Sequence, residues 1–113
     1  MPRKNQLMAA PPFAVETALK TLGNHLRTAR LRRNLSLADM ATKVGVERHS
    51  IAEAEAGKPG TAVATYIGIL WALNLLPTLD RVADPSDDQE GLTLSGQTNR
   101  ERARTSGGPS NAF

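Results

Sequence analysis

Residues 36–57, SLADMATKVGVERHSIAEAEAG, read as two short helices joined by a glycine turn. Ser36 and Asp39 stand at the spacing of a capping box, in which a hydroxyl and a carboxylate satisfy amides left open at a helix start. Leu37, Met40, Ala41 and Val44 then recur at i, i+3, i+4 and i+7, the period that gathers apolar side chains on one helical face. Gly45 follows where the chain needs a residue that tolerates positive φ. A second helix starting near Glu47 turns Val46, Ile51 and Ala54 inward and sends Arg48, His49, Ala52 and Glu53 to the opposite side. This is the unit that places a recognition helix in a DNA major groove. Spacing alone fits small helical domains without that role equally well.

Working outward, Val15, Ala18, Leu19, Leu22, Leu26 and Ala29 form a long helical stripe starting near Phe13 or Ala14, ended near Arg33 by Asn34. Residues 1–13, broken by Pro2, Pro11 and Pro12, read as a flexible basic arm in which Arg3 and Lys4 can touch a polyanion. Residues 61–76 are apolar almost all round. Val63, Tyr66, Ile67, Leu70 and Leu73 are expected to face the core. Ile69, Trp71, Leu75 and Leu76, with Leu79 of the next short helix, are left for a homodimer interface. Pro77 fits the first turn of a helix over residues 78–83. Residues 85–96 are acidic and include a possible short strand at residues 92–94, and residues 97–113 have the composition of a disordered basic tail ending in Phe113. The expected class is all-α, with a five-helix domain over residues 14–84 between flexible arms.

A chain of 113 residues supports one small core. It contains no cysteine, which removes disulfides and thiolate metal sites, and no apolar run approaches the roughly 18 to 20 residues of a membrane helix. The N-terminal apolar stretch is too short and broken for a secretory signal, so a cytoplasmic protein is expected. Charge is polarised: residues 1–33 carry seven Lys or Arg against one Glu, whereas residues 77–99 carry one against five acids. A basic first third beside a nearly neutral helix pair suits a first helix laid near phosphate. An enzyme is not expected. His49 and Ser50 are consecutive on a helix and diverge by about 100°, and neither they nor the isolated His25 fall in a metal-ligand spacing. The loop Gly57-Lys58-Pro59-Gly60-Thr61 follows a helix and lacks the frame of a nucleotide-binding phosphate loop, so no cofactor is expected.

Residues 22–76 resemble the Xre/Cro family of bacterial helix-turn-helix regulators through Leu26-Arg27, Arg30, Ser36, Ala41, Gly45-Val46, Ile51, Glu55 and Gly57. The resemblance implies a homodimer on a double-stranded DNA operator, with a structural ion pair between Arg27 and Glu55. It places base contacts on Arg48, His49 and Glu53, and phosphate contacts on Ser36, Lys43, Ser50, Lys58 and Thr61. Arg48 suits guanine O6 and N7, and Glu53 suits cytosine N4. Two positions depart from the family pattern: Leu37 stands where glutamine is usual, and Glu47 where a small polar residue is usual. Glu47 is expected to cap the second helix. With its basic arm, acidic segment and basic tail, the whole chain is similar to HipB-type antitoxins, which implies autorepression and binding of a HipA-type kinase toxin. The alternatives are a stand-alone Xre-type regulator and an interaction adaptor that has lost DNA binding.

Overall fold

The computed structural model describes residues 5–106, and the fold among them is all-α. Six α-helices are present: α1 (Gln6–Ala9), α2 (Phe13–Arg32), α3 (Leu37–Val44), α4 (Arg48–Glu55), α5 (Val63–Ala72) and α6 (Gln89–Ser106). Two 3₁₀ helices, Leu76–Arg81 and Pro85–Asp87, lie between α5 and α6. The chain divides into two compact units, Met1–Thr78 and Leu79–Phe113.

In the first unit α2, α3, α4 and α5 enclose one core, whose fully buried large side chains are Leu26, Met40, Ile51, Ile69 and Leu73. Each side chain of this kind contributes about 1.5–3 kcal/mol when withdrawn from water. The α2 stripe is deepest at Gly23, Leu26 and Arg30, half-buried at Val15, Leu19, Leu22 and Ala29, and exposed at Ala18. Asn34 adopts φ 55° and ends this helix as a left-handed residue. Residues expected to be a flexible arm include the single-turn helix α1, where the Asn5 carboxamide oxygen accepts from the Met8 amide at 3.2 Å. Residues 1–4 lie outside the described region.

The rotation of α5 differs from the expected one. Ile69, assigned to a dimer surface, is 0% exposed in the core, whereas Val63, assigned to the core, is 70% exposed. Buried positions are Thr65, Tyr66, Ile69 and Leu70. The outward stripe is Val63, half-buried Ile67 and Trp71, spaced four apart, with Trp71 59% exposed. An almost uniformly apolar helix has no polar face, so its period does not say which side is inward. Leu75, Leu76 and Leu79 are each half-buried.

In the second unit, residues 92–94 belong to α6 and do not form a strand. The Asp88 carboxylate accepts from the Gly91 amide at 3.0 Å, and Glu90 in the first turn and Arg104 in the last match the helix dipole. These end signals outweigh three residues of strand-like pattern. Residues 97–106, expected to be disordered, continue the same helix, and residues 107–113, with Phe113, lie outside the described region.

Backbone contact joins α2 to the end of α4. A Cβ added at Gly23 would stand 2.5 Å from the Glu55 carbonyl oxygen and 2.6 Å from that of Ala54. Gly57, at φ 71°, would meet the backbone of Leu19 and Lys20 at 2.8 Å. Replacing a helical glycine by alanine ordinarily stabilises by about 0.5–1 kcal/mol. Gly23→Ala is expected to do the reverse, losing about 1–3 kcal/mol because the methyl meets backbone that cannot rotate away. Urea unfolding measures this, and a variant as stable as the parent would refute the close contact.

Candidate nucleic-acid interface

Local chemistry builds the two-helix unit as its spacing suggests. The Ser36 hydroxyl accepts from the Asp39 amide at 3.0 Å, and the Asp39 carboxylate accepts from the Ser36 amide at 2.9 Å. These bonds hold the Asp39 carboxyl below its ordinary range. Gly45 leaves α3 at φ 86° and ψ 32°, its amide donating to the Ala41 carbonyl. Glu47 then occupies the N-cap position of α4 with its backbone carbonyl accepting from Ser50 and Ile51. Its carboxylate makes no cap hydrogen bond, contrary to expectation. The longer glutamate side chain is a poorer local cap than serine, threonine or aspartate.

Helix α4 buries Ile51 and Ala54. Arg48 and His49 are exposed, and Ala52 and Glu53 are half-buried. At about 100° per residue, Arg48, Ala52, His49 and Glu53 fall within one outward arc. Within that arc His49 Nε2 lies 3.5 Å from Glu53 Oε2, so two of the expected base readers meet each other in the free chain. Arg48 makes no ion pair among the described residues.

The ion pair on Glu55 is made by Arg30, not Arg27. Arg30 Nε donates to Glu55 Oε2 at 2.7 Å and Nη2 to Oε1 at 2.9 Å, while Nη1 donates to the Leu35 carbonyl at 2.8 Å. The two side chains are 7% and 6% exposed. The Glu55 hydrogen bonds raise the Arg30 pKa further, against the opposing effect of burial. Arg27 lies one turn earlier and is exposed. The signal that distinguishes the two is register: Gly23, Leu26 and Arg30 follow at i, i+3 and i+7 on the buried stripe. An arginine on that stripe requires a buried acid. Gly23, inside a helix yet in backbone contact with α4, was the other residue missed, and a mid-helix glycine is its only sequence mark.

The expected phosphate contacts are placed differently from one another. Lys43 and Lys58 are exposed, Ser36 is exposed within its capping box, and Ser50 is half-buried on α4. The Thr61 hydroxyl is buried beside the Tyr66 phenol, and the Thr61 amide donates to the Lys58 carbonyl at 3.2 Å. Neither Thr61 group is presented to an external phosphate. The Lys58 carbonyl also accepts from the Tyr66 hydroxyl at 3.4 Å, and Met8 of α1 lies against Gly60 in the same loop. Burial pushes the Tyr66 phenol upward. Among the described residues no group of His, Asp and Glu could hold a metal ion, and no helix is long and apolar enough to cross a membrane.

A family model described as a helix-turn-helix domain matches residues 21–81, more than half of the chain. No curated protein and no solved structure matches it.

The buried pair sets a stability contrast between neighbouring arginines. Arg30→Ala is expected to lose about 3–5 kcal/mol by leaving Glu55 charged and unpartnered. Arg27→Ala is expected to stay within about 0.5 kcal/mol of the parent. Equal losses in chemical denaturation would contradict the assignment.

Proposed function

We propose, from the premise that the chain belongs to the helix-turn-helix domain family, that it is a sequence-specific transcriptional repressor that reads its operator as a homodimer. Binding of DNA follows from the family, because α4 is the element that such a domain lays in the major groove. The observation that carries the finer reading is the outward arc of α4, where Arg48, His49 and Glu53 stand opposite the buried Ile51 and Ala54. Arg48 offers a two-pronged donor to guanine, and Glu53 an acceptor for the cytosine amine, so a half-site containing G·C is expected. Lys43 and Lys58 supply exposed positive charge for phosphate. A dimer seated on a promoter represses by occupying it.

The stripe of Val63, Ile67 and Trp71 supports self-association. A small domain gains by covering such a surface, and operators are commonly read by two-fold dimers. Leu75 and Leu76 extend the proposed interface; Ile69, being core, does not belong to it.

Two readings of its place in the cell extend this one. In the first, the protein is an antitoxin that autorepresses its operon and neutralises a HipA-type kinase toxin; the support is the charge layout of the flanks. In the second it is a stand-alone regulator, with which the helix-turn-helix domain is equally consistent. Stable co-purification with a kinase-like protein from the native source would select the first.

The test of the common reading is affinity for the duplex upstream of the protein's own gene against a scrambled duplex. A ratio above roughly 10³ at physiological salt is expected. Arg48→Ala should lose about 1–3 kcal/mol on the operator and relax the preference at one base pair. Equal weak binding to both duplexes would remove operator recognition by this protein alone. For the dimer, sedimentation of Trp71→Glu should give a monomer where the parent gives twice that mass. A variant that remains dimeric moves the interface elsewhere.

A further inference from the structure

Arg27 lost its expected carboxylate to Arg30, which engages both oxygens of Glu55. Among the described residues Arg27 makes no ion pair, and its side chain is exposed. It borders a surface hollow of ≈ 350 Å³ together with Leu37, Ala52 and Ala56, and Arg30 and Glu55 also line that hollow. The lining joins α2 to the two helices of the recognition unit. Leu37 opens α3 immediately after the Ser36 cap, Ala52 belongs to the outward arc of α4, and Ala56 is the C-cap residue of α4.

The charges within the hollow decide what it attracts. Arg30 and Glu55 balance each other through two hydrogen bonds, so the net charge there is that of Arg27. Ala52 and Ala56 form a low wall, and with Arg48 they continue one ridge of α4 at intervals of four. A duplex that receives this ridge in its major groove carries a sugar-phosphate strand along each side of the helix. We infer that Arg27 binds a backbone phosphate in this hollow, supplying affinity and register without reading sequence. The inference rests on the DNA-binding reading above. The guanidinium presents paired N–H groups that match two phosphate oxygens, whereas the other guanidinium lining the hollow, that of Arg30, is held by Glu55 and the Leu35 carbonyl.

The experiment uses the full chain, the operator duplex and its scrambled counterpart, in a salt series from about 50 to 200 mM. Arg27→Ala is expected to weaken binding to both duplexes by the same factor. Its plot of log affinity against log salt should be shallower by about 0.9, the release expected for one phosphate. The operator-to-scrambled ratio and the unfolding midpoint should not move, and Arg27→Lys should restore the slope because a point charge still meets phosphate. An unchanged slope, a loss confined to the operator, or a lowered unfolding midpoint would each overturn the inference. Failure of the unsubstituted chain to bind either duplex is a separate result. It removes the DNA-binding reading, and this inference with it.

Discussion

The buried pair between Arg30 and Glu55 fixes the recognition unit in place. Its three hydrogen bonds tie together α2, the Leu35 connection into α3, and the last residue of α4. Two charges this deeply buried lose several kcal/mol of hydration each, and a single loose contact would not offset that. Here both Glu55 carboxylate oxygens and all three guanidinium nitrogens are engaged. The pair therefore acts as a geometric lock more than as a source of net stability. Either member alone is an uncompensated charge.

A lock at one point leaves a helix free to pivot, and the glycines supply the second constraint. Because Gly23 has no side chain, the carbonyls of Ala54 and Glu55 rest directly on α2, and Gly57 lets the departing chain pass within contact of Leu19 and Lys20. The other end of α4 is set by the Gly45 turn, whose amide closes on Ala41. An eight-residue helix held by its start, its end and the buried Ile51 and Ala54 has little rotational freedom left. This matters because contacts to base edges tolerate little displacement. The core is small, so directional polar and steric constraints determine orientation that bulk packing would leave loose.

Legibility in the sequence followed the strength of local signals. The capping box and Gly45 are short-range devices, and Ser36, Asp39 and Gly45 take up the geometry their spacing implies. The inward Ile51 and Ala54 were readable because polar neighbours mark the opposite side of α4. On α5 no such contrast exists, and Val63 and Ile69 exchanged places. Arg27 and Arg30 are separated by one helical turn and carry the same chemistry, so only their relation to the Leu26 stripe distinguishes them. The C-terminal helix was hidden by Gly91 and Gly96, poor helix formers whose effect is offset by the Asp88 contact and by charges placed along the dipole.

The outward arc of α4 is not itself strongly basic. Arg48 is accompanied by Glu53, Glu53 is engaged by His49, and the Glu47 carboxylate remains uncapped at the helix start. A face of this charge repels as much phosphate as it attracts, so long-range attraction to a duplex has to come from cations around it. Arg27, Lys43 and Lys58 are exposed in this domain. On the proposed reading, such a division separates the two components of DNA recognition: surrounding cations set how strongly any duplex is held, and the near-neutral arc sets which one is accepted. On that reading the His49–Glu53 contact, with Nε2 3.5 Å from Oε2, has to open before both side chains can reach base edges.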